Sequence, residues 1–171
     1  MGNLTTQNLT VTPPDTPVTV ENLIQWNVNA FLLELCKVPQ PILDAFNENG
    51  WTFVIGTEYL TELSRKLGVN CIGATVFGEN RIYVSESGAT LHEFGHFYDS
   101  LLGFPEEHDR LYELEAANAP MSEHAKSSSL EYFAEFFAYW CSGNTRTLAQ
   151  LKELTPKTYA YFEGLSTAGL S

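Results

Sequence analysis

Two histidines and a glutamate, His92, Glu93 and His96, interrupt the otherwise apolar stretch ATLHEFGHFYDSLLGF. Apolar periodicity predicts a helix here, on which His92 and His96 lie one above the other on the same face. This is the H-E-x-x-H spacing, in which the histidines bind Zn²⁺ and the glutamate is the general base for a zinc-activated water. In the alternative the histidines only accept or donate hydrogen bonds, but burying them without a partner would be costly. We therefore expect one zinc ion per chain.

A catalytic zinc site needs a third protein ligand and an open fourth position. The segment LEYFAEFFAYW contains two glutamates, Glu131 and Glu135, which are also four residues apart and are its only charges. Because an isolated carboxylate in so apolar a helix is penalised, we predict Glu131 as the third ligand. Glu135 is predicted to orient a ligating histidine through a hydrogen bond. In the alternative, both glutamates face solvent on an amphipathic helix.

The elements that must position these helices follow an α+β pattern, with a small sheet of three or four strands and helices packed around it. Two strand-like runs, 72–77 and 81–85, flank GEN, which is typical of a hairpin, and WTFVIGT predicts another buried strand. Helical spacing of apolar residues predicts the first helix over 20–35. The second strand of the hairpin, or its neighbour, is predicted to pair with an extended substrate. The residues of that strand predicted to bind substrate are Arg81, Ile82, Tyr83 and Val84.

The chain has 171 residues and a formal net charge of −12 at pH 7. This length predicts one domain, assigned to 20–171, after a flexible N-terminal arm over 1–19 that is rich in Thr, Asn and Pro. The negative charge disfavours nucleic acids and anionic membranes and favours basic peptides, unless it serves solubility alone. No apolar run reaches the roughly 18 residues of a membrane span, and no signal-peptide layout is present. The expected location is therefore cytoplasmic, unless a leader has been removed.

Three segments occur in the order HEFGHFYD, EYFAEFFAYW and LTPKTYAYF, after the strand pair GATVFGENRIYV. Together they resemble the catalytic domain of anthrax lethal factor and its relatives, which include the secreted Pro-Pro endopeptidases of clostridia. The resemblance covers roughly residues 73–162 and implies a zincin-like metalloprotease fold. It also implies a zinc site, in which the matching ligands are His92, His96 and Glu131. In this site Glu93 is the base, and Glu135 contacts a ligand without contacting the metal.

The sequence departs from this family at two points. The resemblance implies a tyrosine seven residues before the glutamate ligand, where it stabilises the oxyanion, but this chain has His124 there. An imidazole can do the same work, so His124 is a predicted catalytic residue, with Tyr112, Tyr132 or no residue as alternatives. Gly95 and Leu130 stand where the Pro-Pro endopeptidases carry charge, so specificity for proline pairs is not expected.

Two classes of function fit these patterns. The leading prediction is a zinc-dependent endopeptidase that hydrolyses peptide bonds through a zinc-activated water, with Glu93 as general base. The alternative is a catalytically weak or inactive zinc-binding interaction module, which the missing tyrosine favours, with a toxin-like or mobile-element effector as its biological setting. A protein or peptide substrate is expected in the first case and a protein partner in the second.

Overall fold

A four-stranded mixed sheet with helices packed on it makes up the computed structural model, which describes residues 17–23 and 28–167. The strands are β1 Val20–Asn22, β2 Thr52–Ile55, β3 Gly73–Val76 and β4 Arg81–Val84. Their order across the sheet is β1-β2-β4-β3; β1, β2 and β4 are parallel, and β3 runs antiparallel to β4. The predicted α+β class with a small sheet is confirmed.

The helices follow the predicted order along the chain, and the predicted serine cap is present: the side chain of Ser128 accepts a hydrogen bond from the Glu131 N–H at the start of the helix Ser129–Ser142. No helix in the described ranges is long and apolar enough to cross a membrane. The α-helices of these ranges are α1 Asn29–Leu35, α2 Gln40–Glu48, α3 Glu58–Leu67, α4 Thr90–Leu101, α5 Glu106–Glu115, α6 Ser129–Ser142, α7 Thr145–Leu154 and α8 Pro156–Thr167.

The helix predicted over 20–35 is wrong at its first residues, and residues 24–27 lie outside the described residues. Val20–Asn22 forms β1, and α1 begins only at Asn29. The apolar spacing was compatible with a helix, but the edge of β2 offers this segment backbone partners. The N–H of Phe53, for instance, donates to the carbonyl of Thr19. A tertiary partner thus decides the conformation of the segment.

The predicted flexible arm over 1–19 falls mainly on residues 1–16, which lie outside the described residues. The last residues of the predicted arm belong to the packed structure. Val18 is 3% exposed and lies in the core, and the side-chain amide of Asn47 donates to the carbonyl of Pro17. Within the described residues, Pro17 and Val18 thus already contact the packed structure.

The strand predicted to bind substrate is a central strand, and this prediction needs correction. Strand β4, with Arg81, Ile82, Tyr83 and Val84, lies between β2 and β3, so its backbone groups are paired on both sides. Its neighbour β3 pairs with β4 alone among the described strands. The carbonyl of Ile72 accepts from the N–H of Ser85, and hydrogen-bonding direction alternates along a strand. Gly73 and Thr75 therefore turn their N–H and C=O groups to the open edge.

Helix α4 has an apolar face and a polar face on opposite sides. Phe94 and Phe97 are fully buried and pack with Phe46 at ring-centroid distances of 4.9 and 5.1 Å. Burying a phenylalanine side chain contributes about 1.5–3 kcal/mol, so this face fixes the rotation of α4 beneath the sheet. The opposite face, with His92 and His96, is thereby turned towards α6.

The backbones of α4 and α6 approach closely at Gly95. A Cβ atom on Gly95 would lie 2.6 Å from the Cα and 2.7 Å from the carbonyl oxygen of Ala134. Carbon atoms pack at about 3.5–4.0 Å, so a larger residue at position 95 would force the helices apart. Glycine at position 95 therefore allows this close contact. The contact sets the spacing between the polar faces of α4 and α6.

Helix α4 ends in a tight turn that leads into α5. The N–H of Gly103 donates to the carbonyl of Ser100, and the N–H of Phe104 donates to the carbonyl of Asp99, which is a Schellman motif. Phe104 itself has a positive φ of 50° although it precedes Pro105, a position that favours extended backbone. Such a conformation costs about 1–3 kcal/mol for a residue other than glycine.

Candidate active site

Three predicted ligand residues come together between α4 and α6. Nε2 of His92 lies 3.0 Å from Oε2 of Glu131, and Nε2 of His96 lies 3.6 Å from Oε1 of Glu131. One ligand atom from each residue falls within 4.8 Å of the others. Two atoms bound to tetrahedral zinc at about 2.0–2.1 Å are separated by about 3.3 Å. Two imidazole nitrogens and a carboxylate oxygen at these separations fit a zinc ion.

The remaining ring nitrogen of His92 contacts the second glutamate of α6. Nδ1 of His92 lies 2.9 Å from Oε2 of Glu135. When a metal displaces the proton of Nε2, a proton on Nδ1, donated to Glu135, leaves the Nε2 lone pair free to bind it. Glu135 contacts the ring edge opposite to the one that Glu131 contacts, which is the arrangement expected of an orienting carboxylate.

The charges of this cluster favour a cation at its centre. Burial by itself would lower the pKa of His92, but hydrogen bonds to Glu131 and Glu135 outweigh it and raise this pKa to about 10. Burial would raise the pKa of Glu131, yet hydrogen bonds to His92 and His96 hold it well below its usual range. The hydrogen bond to His92 also lowers the pKa of Glu135, against the effect of burial. The two carboxylates are therefore ionised, as ligands and partners of a metal must be.

Glu93 lies beside this cluster and is held by the edge strand. It is 6% exposed, and the hydroxyl of Thr75 donates to its Oε2 at 2.7 Å. A Cβ atom on Gly73 would lie 2.8 Å from Cγ of Glu93, so only glycine leaves room for the carboxyl at this point of β3. Burial raises the pKa of Glu93, while His96, His92 and the Thr75 hydrogen bond act against the increase. A buried carboxyl with a raised pKa beside a cleft is suited to proton transfer.

A cleft of about 550 Å³ opens at His92 and Glu93. On one side it is bounded by residues 69–73, which lead into β3, and on the other by the loop that contains Ser122 and His124. The volume is sufficient for side chains of an extended peptide. Gly73, the first residue of β3, also lines this cleft.

Of the side chains considered for oxyanion stabilisation, the structure brings His124 to the cluster. Its Nε2 lies 3.2 Å from Oε2 of Glu131, and its side chain is 77% exposed at the mouth of the cleft. The hydroxyl of Tyr112 instead donates to the carbonyl of Lys126. Tyr132 is buried, and its hydroxyl contacts Thr158. Both tyrosine hydroxyls are thus engaged elsewhere.

A buried polar network behind the cluster was not predicted from the sequence. Nδ1 of His108 lies 2.7 Å from Oδ1 of Asp99, and its Nε2 lies 2.9 Å from the hydroxyl of Tyr161. The His108 ring also stacks on Phe133 of α6 at 4.0 Å. One signal was available: Asp99 is a charge in an apolar helix, three residues after His96 and on the same face. The network joins α4, α5, α6 and α8.

The third segment of the family resemblance, LTPKTYAYF, fixes α8 and is not part of the predicted ligand cluster. The carboxylate of Glu115 accepts hydrogen bonds from the N–H groups of Lys157 and Thr158 and from the Thr158 hydroxyl. A carboxylate at a helix N-terminus satisfies unpaired N–H groups and the helix dipole. This segment therefore supports the fold behind α6.

Comparisons with known proteins agree with this architecture. A family model described as "Anthrax toxin lethal factor, N- and C-terminal domain" matches residues 68–165, which include β3, α4 and α6. The fold is similar to that of the Pro-Pro endopeptidase PPEP-2 from Paenibacillus alvei, with a TM-score of 0.68 and 21% identity. That similarity covers 85% of this chain and 96% of the other, and it confirms the predicted zincin-like fold. A search of curated proteins finds no significant match. Because the family model matches more than half of the sequence, the chain belongs to the anthrax toxin lethal factor family.

Proposed function

We propose that the protein is a zinc-dependent endopeptidase. The observation that carries this proposal is the convergence of His92, His96 and Glu131, from two helices, beside the buried carboxyl of Glu93. Membership of the lethal factor family supports it, as does the similarity in fold to a protein named a Pro-Pro endopeptidase. The departures at Gly95 and Leu130 leave specificity for proline pairs outside the proposal.

His92, His96 and Glu131 hold the zinc ion, and Glu135 orients His92 through its Nδ1. Zinc, when bound, polarises the scissile carbonyl and makes water acidic enough to act as a nucleophile near neutral pH. A catalytic zinc would need these three protein ligands and one position left for water or substrate, and His92 lines the cleft from which they would reach it.

Glu93 moves the proton during hydrolysis. As the oxygen of water forms a bond to the carbonyl carbon, Glu93 takes the proton that this oxygen releases. It then delivers the proton to the amide nitrogen, so that the C–N bond breaks and an amine leaves. The Thr75 hydroxyl engages Oε2, which leaves Oε1 beside Gly73 for this exchange. His124, at the mouth of the cleft, donates a hydrogen bond to the oxyanion.

An extended peptide substrate pairs with the open edge of β3 through Gly73 and Thr75. Strand addition supplies backbone hydrogen bonds that do not depend on sequence. The peptide crosses the cleft above the N-terminal half of α4, which brings one of its carbonyls to the three ligands. The net charge of −12 favours basic peptides over acidic ones in the encounter.

The metal ligands are tested by elemental analysis of purified variants. Wild-type protein is expected to hold one zinc ion, whereas folded His92→Ala and Glu131→Ala proteins are expected to lose it. Retention of zinc by a folded Glu131→Ala protein would remove Glu131 from the ligands and make Glu135 the next candidate.

Catalysis is tested with a peptide library and the zinc-loaded protein. Glu93→Gln should bind zinc but cleave no peptide, because the amide keeps the shape of the side chain and cannot take a proton. Glu48→Gln, a change of an exposed glutamate in α2, is the matched control and should cleave like the wild type. Zinc binding without any Glu93-dependent cleavage would refute the endopeptidase and support the zinc-binding interaction module.

A further inference from the structure

Helix α5 contacts both helices that carry the proposed zinc ligands. Nδ1 of His108 lies 2.7 Å from Oδ1 of Asp99 in α4, and the His108 ring stacks on the ring of Phe133 in α6 at a centroid distance of 4.0 Å. The next residue, Asp109, accepts a hydrogen bond from the hydroxyl of Ser129, the first residue of α6. Two consecutive residues of α5 thus join α4 and α6 to the same element.

The contact between Asp99 and His108 is buried and directional. The side chain of Asp99 is 1% exposed and that of His108 is 4% exposed. Because a carboxylate only accepts hydrogen bonds, Nδ1 of His108 carries the proton, and Nε2 of the neutral ring accepts from the hydroxyl of Tyr161 at 2.9 Å. The ring is therefore held at both nitrogens and on one face. A buried polar network with its members paired specifies one arrangement of the elements that it joins.

The network lies at a short distance along α4 from the close contact at Gly95. That contact limits how near α4 and α6 can come, because a Cβ atom there would lie 2.6 Å from the Cα of Ala134. Asp99 follows Gly95 by four residues, which is about 6 Å along the helix axis. Apolar packing between the helices is non-directional, whereas the hydrogen bond of Asp99 is not. We therefore treat Asp99 as a second point of attachment, which together with Gly95 sets the angle between the helices.

A small tilt of α4 about Gly95 would disturb the ligand geometry. His92 precedes Gly95 by three residues, about 4.5 Å along the axis, and lies on the opposite side of it from Asp99. A tilt that moves Asp99 by about 1 Å thus moves His92 by about 0.75 Å in the opposite direction. Metal sites tolerate deviations of about 0.2 Å in their bond lengths. Loss of the attachment at Asp99 would therefore reach the zinc ligands.

We propose that Asp99 and His108 are positioning residues of the zinc site, which fix the angle between α4 and α6 and with it the distances between ligands on the two helices. The proposal rests on the proposed function and concerns residues outside the ligand cluster. They act through the ligands: His96 precedes Asp99 by three residues on α4, and Glu131 precedes Phe133 by two residues on α6.

The test measures zinc dissociation constants, by competition with a chelating dye, for wild type and for two variants of Asp99. Asp99→Ala removes the contact with His108, and a pocket of about 270 Å³ beside both residues lets water meet the Nδ1 proton. Its zinc affinity should fall about 10-fold, the lower end of the range for lost partners of metal ligands. Asp99→Asn keeps an oxygen that accepts from Nδ1, so it should bind zinc like the wild type.

Tyr161→Phe is the matched control within the same network. It removes the hydrogen bond between the His108 ring and α8 and leaves the contact with α4 in place. It should melt at a lower temperature than the wild type and bind zinc as tightly, which separates positioning from a general loss of stability. The visible absorption spectrum of Co²⁺ bound in place of zinc reports the ligand geometry. This spectrum should change in Asp99→Ala and stay the same in Asp99→Asn and Tyr161→Phe.

Three results would overturn the positioning role while the zinc site stands. The first is wild-type zinc affinity, or an unchanged Co²⁺ spectrum, in a folded Asp99→Ala protein. The second is an equal loss of affinity in Asp99→Asn, because the charge of Asp99 and not its contact would then act on the metal. The third is an equal loss in Tyr161→Phe, which would reduce the role to stability.

A second variant decides the question by the same criteria if Asp99→Ala does not fold. In Asp99→Ser the hydroxyl is too short to reach His108 and can donate to the carbonyl of Gly95, four residues earlier in the helix. A wild-type protein that binds no zinc would refute the proposed function, and this proposal with it.

Discussion

The substitution Gly95→Ala isolates the role of helix spacing in the candidate zinc site. It adds one methyl group at the point where α4 meets the backbone of Ala134, and it changes none of the proposed ligands. The added Cβ atom would lie 2.6 Å from the Cα of Ala134. Because carbon atoms pack at about 3.5–4.0 Å, α4 and α6 must separate by about 1 Å.

This movement has two measurable effects. The distance from His92 Nε2 to Glu131 Oε2, now 3.0 Å, would approach about 4 Å, whereas metal sites tolerate deviations of about 0.2 Å in their bond lengths. We expect zinc affinity to fall by about 10–100-fold, as it does when groups that position ligands are lost. Overpacking lowers the unfolding free energy by about 1–3 kcal/mol, and the better helix propensity of alanine offsets about 1 kcal/mol of this loss. The metal-free protein should thus lose about 0–2 kcal/mol of unfolding free energy.

The assay measures both quantities on the same samples. Competition with a chelating dye gives the zinc dissociation constant, and denaturant unfolding without metal gives the free energy. Gly164→Ala is the matched control, because a Cβ atom at this helical glycine of α8 would meet nothing within 4 Å. It should gain about 0.5–1 kcal/mol and bind zinc like the wild type. If Gly95→Ala binds zinc as tightly as the wild type, helix spacing at this point does not set the ligand geometry.

Three further predictions concern the groups around the ligands. Thr75→Val should lower kcat about 10-fold with zinc content unchanged, because Glu93 loses a hydrogen bond that positions its carboxylate; an unaltered kcat would contradict this. Glu135→Gln should weaken zinc binding about 10–100-fold with an intact circular dichroism spectrum, and a structure with Glu135 bound directly to zinc would refute its orienting role over His92. Peptides with Lys or Arg beside the cleaved bond should show a higher kcat/KM than matched acidic peptides at low salt, and this preference should shrink as salt screens the charge of −12. Equal rates at low salt would mean that the charge serves solubility alone.

The two pairs of candidate site residues could be predicted from the sequence because their geometry is local. Residues four apart share a helix face whatever the rest of the fold does, so His92 and His96 form one pair and Glu131 and Glu135 another. Their meeting depends on the contact at Gly95, which no local pattern encodes.

Elements whose conformation depends on a distant partner were harder to predict. Val20–Asn22 has apolar spacing compatible with a helix and becomes a strand because β2 lies alongside it. The hairpin of β3 and β4 was predicted, but sequence pattern does not state which of its strands joins β2. The prediction that β4 or its neighbour pairs with substrate could therefore not be narrowed to β3 from the sequence. Asp99 stands out as a charge in an apolar helix, but its pairing with His108 could not be predicted because the two residues belong to different helices.

The open edge of β3 also bears on how the protein behaves at high concentration. An unpaired strand edge can add the same strand of a second copy, and natural proteins commonly guard such edges. Here two copies that approach edge to edge each carry a net charge of −12 and repel one another. The screening length of this repulsion is roughly 30 Å at 0.01 M salt and roughly 3 Å at 1 M. Concentrated salt removes this protection. Self-association through β3 is thus expected to increase with ionic strength, and a bound peptide that covers the edge should suppress it.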